Sequence, residues 1–249
     1  MKKVISKWKN IDNMTKILGN ISSEESMGLV DGPGIRYVVF LQGCKLRCKY
    51  CHNPETWALK GGYQITPEKL IEKIQRFKPY FAENGGVTFS GGEPLLQPEF
   101  LLACLKLCKQ KGIHTVLDTA GVGFGDYIEI LSNVDLVILD VKAVDEDEYK
   151  LLTGQNIKYF HAFLNECKKQ NVKMWIRQVI VPGINDDIAH AEKLKSFVKT
   201  LPNVERVELL PYKTIGVHKY DDLKIRYALD GVPEMDEERC KQLERFVRE

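Results

Sequence analysis

The sequence predicts an α/β fold built on a parallel sheet, and two observations carry that reading. Short β-branched runs alternate with longer segments whose apolar residues recur at helical spacing, and the alternation repeats six times. The fourth run, "LVILDV", is almost wholly apolar, as a strand must be when both faces of its sheet are covered. Alternation of this kind implies right-handed crossovers between parallel strands. Six units are fewer than the eight of a closed barrel. An open or incomplete barrel and a flat doubly wound sheet both satisfy the pattern.

The elements follow in order. "IRYVVF" (Ile35–Phe40) is the first strand. Pro67–Phe81 reads as a helix, with Leu70, Ile71, Ile74 and Phe77 on one face and Pro67 suited to its first turn. "GVTFS" (Gly86–Ser90) is the second strand, and Pro98–Gly112 is a helix closed by basic residues and a glycine. "HTVLDT" (His114–Thr119) is the third strand, followed by a short helix near Asp126–Leu131. "LVILDV" (Leu136–Val141) is the fourth, and a helical region then runs to about Gln170. "VKMWIRQVIV" (Val172–Val181) is the fifth, stopped by Pro182-Gly183, with a helix over Asp187–Thr200. "VERVELL" (Val204–Leu210) is the sixth, stopped by Pro211, and a charged amphipathic helix ends the chain.

Composition excludes several classes. Lys and Arg number 36 against 34 Asp and Glu, so no broad basic face for nucleic acid is expected. No apolar run suits a signal peptide or a membrane helix, so a cytoplasmic protein without membrane contact is expected. Seven cysteines, an odd number, argue against a disulfide framework. Met1–Asn20 reads as an N-terminal extension to a domain spanning 21–249.

In parallel α/β folds, function sits at the C-terminal ends of the strands. Those ends carry "CKLRCKYC", "SGGEP", Asp118-Thr119, "DVK", Arg177 and "LLPYKTIGVHKY". Cys44, Cys48 and Cys51 are spaced C-x3-C-x2-C, with no fourth cysteine at a matching interval. Structural zinc takes four protein ligands. His52 is a possible fourth, although its ring must fold back beside Cys51. Cys104 and Cys108 lie one helical turn apart but within "FLLACLKLC", where core packing accounts for them. Cys167 and Cys240 are isolated on helices and read the same way. An iron–sulfur cubane on three thiolates would leave one iron open to a further ligand.

C-x3-C-x2-C with Tyr50 before the last cysteine, followed by Gly91-Gly92-Glu93 after a strand, resembles the radical S-adenosylmethionine superfamily. "ESMGLVDGPGIRYVVFLQGCKLRCKYCHNPETW", "LDTAG", "LDVK", "WIRQVIVPG" and "ELLPY" are further similar, in that order, to the activases of glycyl radical enzymes. The resemblance covers about Ile21 to the C-terminus. It implies an incomplete (β/α)6 barrel with parallel strands. It implies an oxidoreductase with a [4Fe-4S] cluster on Cys44, Cys48 and Cys51. The open iron would hold S-adenosylmethionine, and a 5′-deoxyadenosyl radical would abstract the hydrogen, so no side chain is assigned as catalytic.

The same resemblance assigns Tyr50, His52, Asn53, Gly91, Gly92, Glu93, Asp140, Val141, Lys142, Arg177 and His218 to S-adenosylmethionine. It assigns a monovalent-cation site to Asp118, Thr119, Asp140 and the Ile138 carbonyl, and the protein substrate's glycine loop to Asp31. Each has a plainer reading. Gly91-Gly92 suits a turn, Asp118 and Asp140 suit ion pairs, Arg177 suits a structural pair, Asp31 suits a turn cap, and "DEDE" (Asp145–Glu148) suits a helix start. The implied partners are pyruvate formate-lyase as substrate and flavodoxin or ferredoxin as electron donor, with the activase a monomer. Only "ALKGGYQIT" separates Trp57 from Pro67, so no inserted ferredoxin-like domain is expected. A zinc-binding or electron-carrying module is the alternative.

Overall fold

The structure is a computed structural model that describes residues 17–249. Most of the expected extension Met1–Asn20 therefore lies outside the described residues, and Gly19 and Asn20 open the first strand. Eight strands form one open sheet in the order β3-β1-β2-β4-β5-β6-β7-β8. The six expected strands are β2 (Arg36–Leu41), β4 (Gly86–Gly91), β5 (His114–Thr119), β6 (Leu136–Asp140), β7 (Met174–Ile180) and β8 (Val204–Pro211). They run parallel, each beside the next.

Two strands were not legible. β1 (Gly19–Gly28) pairs antiparallel with β2 and with the three-residue β3 (Tyr63–Ile65). β1 reads "GNISSEESMG", too polar to signal a strand. Its polar groups are nonetheless placed. Glu24 accepts from Lys73 at 2.6 Å and from the Tyr37 and Tyr63 hydroxyls. Gln97 bonds both the N–H and the C=O of Asn20, each at 2.8 Å.

Eight helices are described: α1 (Pro67–Gln75), α2 (Pro98–Gln110), α3 (Tyr127–Leu131), α4 (Glu146–Thr153), α5 (Lys158–Gln170), α6 (Ile188–Val198), α7 (His218–Asp222) and α8 (Glu237–Arg248). α1 stops short of the expected Phe81, because Pro79 cannot donate to a continuing helix; a 3-10 turn at Lys78–Tyr80 follows. The region expected to be helical up to Gln170 is broken at Gly154, whose φ of 71° closes α4. Asp126, Asp145, Asp187 and Asp236 cap α3, α4, α6 and α8, each accepting a backbone N–H three residues on. The "DEDE" run is thus a helix start.

Strand side chains alternate between two faces. One face (Val39, Leu41, Val87, Phe89, Leu117, Val137, Leu139, Ile176) joins the main core that includes the helices. The other is the inside of the open barrel. Val116, Leu136 and Ile138 form a separate small apolar cluster there, with Trp175 against it. Toward the strand C-termini this inner face turns polar, with Ser90, Asp118, Asp140, Arg177 and Glu208. The loop from Leu29 to Ile35 crosses this face as a strap. Its Val30 carbonyl accepts from Arg177 on β7, and its Asp31 carbonyl accepts from Thr88 on β4 at 2.7 Å. Gly32 sits where a Cβ would come 3.1 Å from Val116, so the strap lies directly on the inner cluster.

Below the strap, Arg36 is fully buried with no carboxylate in contact. It donates to Thr88 Oγ1 at 3.0 Å and to the carbonyls of Val87 and His114. Burial lowers its pKa to about 10.

Candidate functional site

The loop after β2 carries the three cysteines, and its shape is fixed by backbone bonds to four separate segments. Gly43 N–H bonds Thr56 O at 2.8 Å. Arg47 and Lys49 N–H bond Thr153 O and Leu152 O at the end of α4, at 2.8 and 3.0 Å. Glu93 N–H bonds Gly43 O at 2.9 Å, which ties the Gly91-Gly92 turn to the cysteine loop. Tyr220 on α7 donates to Cys51 O at 2.9 Å. Gly91 has φ of 109°, a region glycine adopts freely. Gly92 packs so closely that a Cβ would stand 2.3 Å from Gly43 O.

This arrangement encloses a cavity of about 270 Å³ at the C-terminal ends of the strands. Cys44, Cys48 and Cys51 all line it. Burial pushes all three thiols above their ordinary range, Cys48 to about 12. Such thiols stay protonated unless a cation takes the proton's place. Among the described residues no set of three His, Cys, Asp or Glu side chains is arranged to hold a single metal ion. Three thiols on one cavity are the donor set that would suit a cluster bonding each thiolate through a different iron.

Asp118, Asp140, Lys142 and Arg177 line the same cavity. Burial pushes Asp118 up, against the pull of Arg177 and of Ser90 Oγ, which donates at 2.8 Å. Lys142 is buried and contacts Asp140 Oδ2. Burial alone would depress it, but the charge of Asp140 and its hydrogen bond hold it well above its usual range, and it lies 5.4 Å over the Tyr50 ring. Asp140 Oδ1 is buried with no hydrogen-bond partner, as is the Tyr50 hydroxyl. Arg177 pairs with Glu208 at 2.7 Å while still lining the cavity.

Of the residues singled out from sequence, Tyr50, His52, Asn53, Gly91, Gly92, Thr119 and those above line the cavity. Others lie beside it. Glu93 is buried behind the turn, accepting from Thr119 Oγ1 at 2.5 Å, Ala120 N at 3.0 Å and Leu95 N at 3.1 Å. Burial outweighs those donors and raises its pKa to about 7. Val141 and Ile138 are fully buried. His218 is exposed, its ring 3.1 Å from Ile215 O. Asp31 lies on the strap. Burial and the nearby Asp118 raise its pKa.

Sequence reasoning placed Ser90, Leu210 and Pro211 at strand ends without giving them a role and passed over Trp57; all four lie on the cavity wall. Ser90 and Pro211 stood at strand ends and were legible from position; Trp57 had only its place at the loop's end. Also missed was the clamp that α7 places on the loop. Lys219 reaches Asn53 Oδ1 at 3.0 Å and Glu55, His52 Nε2 lies 2.9 Å from Lys213 O, and Gly216 packs on the His52 backbone.

Comparison with known proteins agrees with this geometry. The family model described as "Radical SAM superfamily" matches residues 38–194. A pyruvate formate-lyase-activating enzyme of Clostridium pasteurianum is 56% identical over 94% of this chain and 98% of its own length. One from Staphylococcus epidermidis is 43% identical over 92% of this chain and 95% of its own. A crystallised domain of the Bacteroides vulgatus pyruvate-formate lyase-activating enzyme superposes with a TM-score of 0.54 at 28% identity, covering 66% of this chain and 93% of that one. The chain belongs to the radical SAM superfamily and, within it, to the family of pyruvate formate-lyase-activating enzymes.

Proposed function

We propose that this protein activates a glycyl radical enzyme, pyruvate formate-lyase, by removing a hydrogen atom from a backbone glycine. The observation that carries the reading is the single cavity shared by Cys44, Cys48, Cys51, the Gly91-Gly92 turn and the Asp140–Lys142 pair. A [4Fe-4S] cluster on the three thiolates, when bound, supplies the electron that cleaves S-adenosylmethionine and yields the abstracting radical.

The chain's own residues bind, orient and exclude water. Gly91 and Gly92 line the cavity without side chains of their own, which favours them as the seat of the methionyl ammonium group. Lys142 offers a buried positive charge to the carboxylate. His52, Asn53, Leu210 and Pro211 also line the cavity and offer a setting for the adenosine, while His218 is exposed. Leu46, Val179 and Leu210 supply apolar wall, and a dry site protects a carbon radical from side reactions.

A monovalent cation between Asp118 and Asp140 would satisfy the unpartnered Asp140 Oδ1. Thr119 would contribute through its carbonyl, since its hydroxyl is taken by Glu93 and by Gly121 N–H at 2.9 Å. The strap with Asp31 is the proposed seat of the substrate's glycine loop. Flavodoxin or ferredoxin is the proposed electron donor. No described helix is long and apolar enough to cross a membrane.

The test uses pyruvate formate-lyase deuterated at glycine, with reductant and S-adenosylmethionine under anaerobic conditions. The reading expects a glycyl radical signal and one deuterium carried into 5′-deoxyadenosine. Unlabelled 5′-deoxyadenosine with no glycyl signal would refute it.

A further inference from the structure

The cysteine loop alternates in burial from Cys44 to Tyr50. Cys44, Leu46, Cys48 and Tyr50 are buried and line the cavity, whereas Lys45 and Arg47 are exposed and Lys49 is half-buried. One thickness of backbone therefore separates a row of three cations from the thiols. The row continues onto a second, smaller recess. Lys45, Phe124, Gln155 and Tyr159 line it; Lys45 lies 4.2 Å over the Phe124 ring and Lys158 lies 5.0 Å over that of Tyr159. Phe124 and Tyr159 are 48% and 40% exposed. No carboxylate stands within ion-pair distance of Lys45, Arg47, Lys49 or Lys158 among the described residues.

The opposite flank of the loop is mixed in sign: Glu55 pairs with Lys219 and Glu234 with Lys213, and Asp221 and Asp222 are followed by the exposed Lys224 and Arg226.

We propose that the outer face of the cysteine loop, Lys45, Arg47 and Lys49 with Lys158 and the exposed Phe124 and Tyr159 rings, is the docking surface for a small acidic one-electron carrier protein. The inference rests on the functional reading above, which requires an electron to reach a cluster on these thiolates. Electron transfer weakens steeply with distance, so the carrier must sit where little protein intervenes. The cavity mouth is needed for the protein substrate, and on the α7 flank Lys213 and Lys219 are already held in ion pairs by Glu234 and Glu55. The lysine face is thin, positive and has apolar area at its centre. Small, charge-steered contacts of this kind are typical of electron-transfer encounters.

The test compares the wild-type enzyme with K45E/K49E and with a control, K199E/K241E, that changes net charge equally on a distant face. Arg47 is left alone because its guanidinium braces the loop, bonding Cys44 O and Leu46 O at 2.8 and 2.7 Å. Affinity for an oxidised acidic ferredoxin is measured by calorimetry. Formation of 5′-deoxyadenosine is measured with the reduced ferredoxin and, separately, with dithionite. The expected result is a loss of affinity and of ferredoxin-driven rate of roughly tenfold or more at low salt in K45E/K49E. The control retains both. Wild-type coupling weakens as salt shortens the screening length, and dithionite-driven cleavage stays equal in all three. Equal ferredoxin affinity and rate in K45E/K49E and wild type would overturn the docking surface alone. Failure of dithionite to drive cleavage in the wild type would overturn the functional reading, and this one with it.

Discussion

Replacing Gly92 by Ala probes how tightly the Gly-Gly turn is fitted to the cysteine loop. A Cβ at this position would stand 2.3 Å from Gly43 O and 2.7 Å from Gly43 C, where ordinary contact begins at 3.4 Å. Both atoms are backbone, so no rotamer change relieves them. The turn and the loop must part by about 1 Å, straining the Glu93 N–H to Gly43 O bond that joins them. Cys44 follows Gly43 directly, so the first ligand moves with it. A misplacement of that size costs on the order of 10²-fold in rate, equivalent to about 2.7 kcal/mol. The fold should survive, with a strain of about 1–3 kcal/mol.

The assay is reductant-driven 5′-deoxyadenosine formation by reconstituted G92A, alongside its melting temperature and iron content. G112A serves as control: Gly112 has φ of 59° but nothing within 4 Å of a Cβ, so it carries conformational strain without the clash. G112A should keep its rate. A G92A enzyme within twofold of wild type would refute the argument that this close approach sets the site.

Three further outcomes follow from the geometry. The Glu93 carboxyl, raised from 4.5 to about 7, holds its proton more tightly folded than unfolded. Its contribution to stability is therefore full below about 4.5 and is lost as pH rises toward 7, at most about 3 kcal/mol. E93Q should flatten that part of the pH–stability curve, and an unchanged slope in denaturant unfolding would count against it. Y220F removes the bond to Cys51 O, worth about 1 kcal/mol; iron should be lost to a chelator several-fold faster, and equal rates would show that the clamp does not hold the loop. Alanine at Cys44, Cys48 or Cys51 should abolish cluster retention, while alanine at the fully buried Cys104 or at Cys240 should leave iron content intact and lower only the melting temperature.

β2, β4 and β6 were legible because burial on both faces demands apolar runs that few other elements show, whereas β7 and β8, half-exposed on one face, were read from β-branched residues and proline stops. β1 was hidden because its stability comes from partners far along the chain, Lys73, Tyr37, Tyr63 and Gln97, none of which a local window contains. At the site, residues at strand ends were readable because topology alone sends them to one mouth. Glu93 illustrates the limit. Its motif marked it, but only the structure shows it turned inward to hold Thr119, Ala120 and Leu95. The α7 clamp depended on contacts spanning more than 160 residues, and no spacing rule reaches that far.

The most direct measurement is electron paramagnetic resonance of the anaerobically reconstituted, reduced protein with and without S-adenosylmethionine. The account predicts a [4Fe-4S]⁺ signal whose g-values change when S-adenosylmethionine is added, with 5′-deoxyadenosine accumulating. A signal unaltered by S-adenosylmethionine, or a protein that retains zinc and no iron, would contradict it.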